Sequence, residues 1–176
     1  MDVSDSVNWY RLAAEQGLAD AQYTLGFMYF YGHGVEKDHW QAVSWFHRAA
    51  LQGHANAQHE LGICYREGYG VAKNPREAVK WFFQAAHQGH DEAQCAVGEA
   101  YASGEGLPGD FAEAVEWFKK AAAKGNSVAQ YHLGIAHEYG YAVGQSDVEA
   151  ADWYRKGAEG GYAEAQRALE IGRAHV

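Results

Sequence analysis

The sequence predicts an all-α fold, a right-handed α-solenoid of antiparallel helix pairs, and three observations predict it: an unbroken 36-residue period, apolar faces at helical spacing inside each period, and glycine and capping signals that divide each period into two helices. Ala19-Asp20-Ala21-Gln22, Ala55-Asn56-Ala57-Gln58, Asp91-Glu92-Ala93-Gln94, Ser127-Val128-Ala129-Gln130 and Ala163-Glu164-Ala165-Gln166 mark the period without one insertion. Trp9, Trp45, Trp81, Trp117 and Trp153 keep the same beat.

This phase divides the chain into a leading half-repeat (1–18), four complete repeats (19–54, 55–90, 91–126 and 127–162), a truncated repeat (163–169) and a tail (170–176). Ten helical segments follow: a second helix in 1–18, four helix pairs, and a cut-off final first helix, with almost no strand. Met1 aligns with the loop before a second helix, so Val7, Trp9 and Tyr10 are expected to lack an outer partner.

In the first helix of each pair, Ala57, Gln58, Leu61, Gly62 and Tyr65 fall on one face of a 3.6-residue helix. Gly32, Gly68, Gly104 and Gly140 close it, where the chain must turn with positive φ. The second helix starts at Asn74-Pro75-Arg76-Glu77, a cap, a proline at the first helical position and a glutamate three after the cap, which predicts a reciprocal capping box. Asp38 with Gln41, Asp110 with Glu113 and Ser146 with Glu149 repeat it, and Gly17, Gly53, Gly89, Gly125 and Gly161 mark the far end. Ala78, Val79, Trp81, Phe82, Ala85 and Ala86 form the predicted buried stripe. Gly26, Gly62, Gly98 and Gly134, mid-helix at about 1 kcal/mol each relative to alanine, imply close helix packing beside the Trp and Phe pair, with room for the tryptophan.

The pattern A-x-A-Q-x-x-L-G-x-x-Y-x-x-G-x-G-V followed by E-A-V-x-W-F-x-x-A-A-x-x-G resembles the Sel1-like repeat, and Ala55 to Gly89 shows nearly all of it. The resemblance covers about residues 2 to 169. Departures are His137 for the first-helix tyrosine, Ala142 for the loop glycine, Val97 for the leucine and Gly157 for a second-helix alanine, all but one in the fourth repeat. The resemblance implies stacked helix pairs related to tetratricopeptide repeats, with the first helix of each pair lining the concave side, and adaptor or scaffold roles in signalling, protein quality control and bacterial contact with host cells. A protein or peptide partner is therefore expected, with a spacer segment of a longer repeat protein as the bland alternative.

The second, fifth, ninth and twelfth residues of each repeat point broadly away from the core face and are the groove candidates. They read Asp20, Tyr23, Phe27 and Phe30, then Asn56, His59, Ile63 and Arg66, then Glu92, Cys95, Glu99 and Ala102, then Val128, Tyr131, Ile135 and Glu138. Unlike the core positions they differ between copies. Tyr23, Phe27, Phe30, His59, Ile63, Arg66, Glu99, Tyr131, Ile135 and Glu138 are the candidate partner-binding set, the rings and aliphatics as anchors and the charges as register. Phe27, Ile63 and Ile135 could equally pack against a neighbouring first helix.

Composition narrows the rest. With 14 basic and 23 acidic side chains the net charge is −9, which repels phosphate backbones, and nucleic acid is a poor partner. No apolar run reaches the length of a membrane span and the first residues carry no export signal, so the expectation is a soluble chain, cytoplasmic, or exported if the true N-terminus lies upstream. Cys64 and Cys95 form no C-x-x-C pattern and read as small apolar residues.

Some proteins resembling this family have been associated with β-lactam binding or hydrolysis, which makes a hydrolase the rival class. None of Ser4, Ser6, Ser44, Ser103, Ser127 and Ser146 begins an S-x-x-K motif. His87 and His90 have a usable metal-ligand spacing but need further ligands, His132 and His137 lie five apart, and His59-Glu60 lacks the second histidine of H-E-x-x-H. No catalytic residue, cofactor or metal is expected.

The repeat demands glycine at 170 and instead finds Glu170-Ile171-Gly172-Arg173-Ala174-His175-Val176. One back-translation of it, GAG ATC GGA AGA GCA CAC GTC, spells after its first base the start of a widely used short-read sequencing adapter. The expectation is that Leu169 is the last wholly natural residue and that the tail carries no functional weight. An uncapped end would expose Trp153 and Tyr154 and favour self-association.

Overall fold

In a computed structural model, residues 3–174 are described; they form ten helices and no strand. Two compact units divide the chain, Met1–His90 and Asp91–Val176. The first holds α1 (Val3–Glu15), α2 (Ala19–Tyr31), α3 (His39–Leu51), α4 (Ala55–Glu67) and α5 (Pro75–His87). The second holds α6 (Asp91–Ser103), α7 (Phe111–Ala122), α8 (Ser127–Tyr139), α9 (Asp147–Glu159) and α10 (Ala163–Ala174). The predicted all-α class and the ten segments are observed. α10 runs through the 169–170 junction, and residues 175 and 176 of the tail lie outside the described residues. Among the described residues no helix is long and apolar enough to cross a membrane.

Each element starts and stops where its local chemistry requires. Asp38 accepts hydrogen bonds from the Trp40 and Gln41 amides, Asn74 from Glu77, Asp110 from Ala112 and Glu113, and Ser146 from Glu149. The reciprocal half of the capping box is not what satisfies the caps' own amides. These donate instead to first-helix carbonyls, Asp38 to Tyr29 at 2.9 Å, Asn74 to Tyr65 at 2.7 Å, Asp110 to Tyr101 at 3.0 Å and Ser146 to His137 at 2.9 Å. The loop folds back on its own first helix, so a backbone acceptor arrives before the glutamate is needed; Glu77 instead meets Lys80 at 2.5 Å. At the other end, Gly53 has φ +87° and nothing within 4 Å of where a Cβ would stand, so backbone conformation alone selects glycine there.

The repeated glutamine closes the second helix. Gln22 donates to the carbonyl of Ala14 at 3.0 Å, Gln58 to Ala50 at 3.1 Å, Gln130 to Ala122 at 3.5 Å and Gln166 to Ala158 at 3.3 Å. Each of these last-turn carbonyls also accepts a backbone amide from the glycine beyond the helix, Gly17, Gly53, Gly125 and Gly161, so the glutamine adds a second donor there. In the first unit the other end of the amide is also used, Gln52 donating to Gln22 and Gln88 to Gln58, both at 2.7 Å.

The mid-helix glycines do mark close packing, but against the residue after the tryptophan. A Cβ on Gly26 would meet the Phe46 ring at 2.7 Å, on Gly62 the Phe82 ring at 2.5 Å and on Gly98 the Phe118 ring at 2.6 Å, and Gly134 faces Tyr154 in the same way. Adjacent residues on a helix point about 100° apart, so only one of the two rings can lie under the glycine. The tryptophans take the flank. Trp45 and Trp117 are buried, with Arg48 and Lys120 over their rings at 4.5 and 3.8 Å, whereas Trp81 and Trp153 are half-buried. Tyr154 is buried beneath Gly134 of its own pair, contrary to the expected exposure, and Trp153 is half-covered with Lys156 4.1 Å above it. Val7 is buried with Ala14, Leu25 and Trp45, while Trp9 and Tyr10 are exposed.

Candidate partner-binding site

In the first unit α2 presents Tyr23, Phe27 and Phe30, and α4 presents His59, Ile63 and Arg66; all six are half-buried. Tyr23, Phe27 and Phe30 rest one edge on the core formed by Ala42, Val43, Phe46 and Leu61. Tyr23 stacks on His54 at 4.8 Å, Phe27 lies 4.5 Å from Tyr31, and Phe30 stacks on His39 at 4.7 Å with Tyr69 edge-on at 5.5 Å. His59 stacks on His90 at 4.7 Å, and the Arg66 guanidinium sits 5.4 Å from the Phe82 ring while reaching Glu67 at 2.9 Å. The unit thus offers rings locked edge to edge, a surface whose side chains lose little freedom when another apolar group covers them.

In the second unit α6 presents Glu99 and α8 presents Tyr131, Ile135 and Glu138, again half-buried. Glu99 lies 3.5 Å from His132 Nε2, and Tyr131 packs on Tyr162 and Tyr154 at 5.2 and 5.6 Å. The Tyr154 hydroxyl donates to the Glu138 carboxylate, and burial, then that bond, hold its phenol well above the usual range. Cys95, placed by periodicity among the groove positions, is instead buried in the core beside Phe118 and Leu133, because a small apolar side chain fits there. Here the half-exposed edge carries two carboxylates where the first unit carries rings.

The residues that sequence reasoning missed are the caps of the first helices. His54 Nδ1 accepts from the Ala57 amide at 3.2 Å, so Nε2 holds the ring proton and faces Asp20 at 3.2 Å; Asn126 likewise accepts from Ala129. Where the residue before a first helix is a ring, it leans on the fifth residue of the preceding repeat, giving Tyr23 with His54, His59 with His90 and Tyr131 with Tyr162. A signal existed: a ring at one position accompanies a ring at the other, and where Cys95 has none neither does Asn126. The histidines with metal-ligand spacing turn to different neighbours, His87 to Phe83 and His90 to His59. Two of the serines weighed as nucleophiles accept backbone amides at turns, Ser103 from Glu105 and Ser146 from Glu149.

The family model described as Sel1 repeat matches residues 2–18, 19–54, 55–90, 91–126 and 127–162. Among solved structures, a protective antigen of uropathogenic Escherichia coli strains displaying an SLR fold is 43% identical with a TM-score of 0.91, covering 96% of this chain and 36% of its own. A Sel1 repeat protein from Oxalobacter formigenes is 35% identical with a TM-score of 0.90, covering 94% of this chain and 66% of its own. An immunity protein from Pseudomonas aeruginosa, 24% identical with a TM-score of 0.59, covering 90% of this chain and 59% of its own, shares the fold alone. The chain thus spans about a third of the length of the first and about two thirds of the second. No curated protein matches the chain in sequence.

Proposed function

This chain belongs to the Sel1 repeat family, and on that footing we propose that it is an interaction scaffold that holds a protein or peptide against the exposed edges of its first helices. Members of the family commonly scaffold protein interactions and are generally non-catalytic. The observation that carries the reading is the contrast along one helix type: the positions facing inward repeat from copy to copy, while Tyr23, Phe27, Phe30, His59, Ile63, Arg66, Glu99, Tyr131, Ile135 and Glu138 vary and keep an edge in solvent. Positions that vary on an invariant frame are where a repeat scaffold encodes its partner. The net charge of −9 opposes a nucleic-acid partner.

The test uses the chain as bait. A protein captured by the parent and released by Phe27→Ala with Ile63→Ala, at unchanged helicity, supports the reading. Equal capture by the double variant would show that these edges are not the site, and turnover of a β-lactam chromogen would replace the scaffold by an enzyme.

A further inference from the structure

Of the six tryptophans, five keep the repeat's beat and Trp40 does not; it stands 67% exposed on α3. The corresponding residues of the other complete repeats are Arg76, Ala112 and Val148. One turn further on, Ser44 replaces the charged side chains of Lys80, Glu116 and Asp152. The consequence is an open depression of about 290 Å³ in the first unit. Trp40, Val43, Ser44 and His47 line it from one face of α3, at i, i+3, i+4 and i+7, and Tyr65 and Val71 close the far side. The short serine makes the space and the off-beat tryptophan walls it.

The electrostatics of the depression oppose those of the molecule. On a chain of net charge −9, no carboxylate lines it. Arg48 sits at its end with the guanidinium 4.5 Å over the Trp45 ring, and among the described residues it has no acid within ion-pair distance. A stacked guanidinium keeps its N–H edge available and already oriented for a carboxylate. His47 lies beside it, edge-on to Trp81 at 5.7 Å.

We propose that this depression docks a short acidic segment of a partner protein, an apolar side chain seated against Trp40, Val43 and Val71 and a carboxylate on Arg48. The register follows from the helix. Trp40 and Arg48 are eight residues apart on α3, or ~12 Å along its axis at ~1.5 Å per residue. An extended chain advances ~3.3 Å per residue, so the apolar residue and the acid stand about three to four positions apart. This surface shares no residue with the helix edges proposed above, so either reading can fail without the other.

The experiment is fluorescence polarisation of labelled peptides with the full chain. The probe is Gly-Phe-Ser-Ser-Asp-Asp-Gly, with Gly-Phe-Ser-Ser-Asn-Asn-Gly, Gly-Phe-Ser-Ser-Lys-Lys-Gly and the register control Gly-Phe-Asp-Asp-Ser-Ser-Gly beside it. The acidic probe in register binds more tightly than the other three and weakens with salt. Trp40→Ala, Ser44→Glu and Arg48→Gln each import the residue that another repeat carries, Ala112, Glu116 and Gln84, so the helix tolerates them while the site loses its wall, its space and its cation. Each weakens the acidic probe about tenfold or more, at unchanged melting temperature. Equal binding of the acidic and neutral probes, tighter binding of the lysine probe, or binding indifferent to all three substitutions overturns the proposal. So does concentration-dependent self-association of the parent that Ser44→Glu abolishes, which would make a second copy the occupant.

Discussion

A methyl group at Gly62 and the ring of Phe82 cannot occupy the same space, and the same conflict recurs at Gly26 with Phe46 and Gly98 with Phe118. Phe82 is 2% exposed where Trp81 is half-buried. Phe82→Ala should therefore cost about 3 to 5 kcal/mol and Trp81→Ala less, because a half-exposed ring leaves less cavity behind; comparing their urea midpoints checks the order. The sequence shows both rings and the glycine, but which ring lies beneath it is set by how the helices cross, and the tryptophan beat misleads because the flanking site is as periodic as the central one. Cys64 shows the same depth in its chemistry. Burial first, and Glu60 second, push its thiol from 9.0 up to about 12. The folded state then keeps a proton that the unfolded chain releases, so this contribution to stability is intact below pH 9 and is lost as pH rises from 9 towards 12. Iodoacetamide at pH 8 should accordingly leave Cys64 unmodified in the native chain and alkylate it in denaturant, as peptide mass mapping would show; rapid native labelling would contradict its burial.

At the level of helices and loops, most of the architecture was legible because the punctuation is local: glycines with positive φ, a proline at a first helical position, and Asp, Asn or Ser caps all act within a few residues of themselves. What was illegible joins one repeat to the next, such as the cap of α4 stacking on Tyr23 of α2, or His47 of α3 meeting Trp81 of α5 edge-on. Such contacts depend on the offset between pairs, which a single period does not display. The loop before α9 carries one departure with a measurable consequence. Ala142 holds φ +55°, the left-handed region where the other copies place Gly34, Gly70 and Gly106. An alanine there costs about 1 to 2 kcal/mol, and glycine's extra unfolded freedom returns roughly half of that. Ala142→Gly should thus stabilise by about 0.5 to 1 kcal/mol, read as a rise of about 1 to 4 °C in melting temperature. The converse change, Gly70→Ala, should be among the most harmful loop substitutions, since its Cβ would also strike the carbonyl of His39.

Within each unit, packing is mainly between sequence neighbours: α2 on α3, α4 on α5, α6 on α7 and α8 on α9 within pairs, and α1 on α2, α3 on α4, α7 on α8 and α9 on α10 between them, with a smaller contact of α6 on α8. Stability in such a chain is close to a sum of repeat terms and nearest-neighbour interfaces, so damage should stay where it is made. Phe82→Ala removes the ring that joins α4 to α5 and leaves the α8 and α9 pair, joined by Tyr154 under Gly134, as it was. Native-state hydrogen exchange should then show amide protection falling by several orders of magnitude in α4 and α5, less in α2 and α3, and little in α8 and α9. Tyr154→Ala should give the mirror image, with α8 and α9 losing protection while α2 to α5 keep theirs. If either substitution lowers protection equally in all ten helices, the chain unfolds as one cooperative block and the nearest-neighbour account fails. If the losses stay local, a substitution at one half-exposed edge reports on that edge alone, which is the condition under which partner-binding positions can be scanned one repeat at a time.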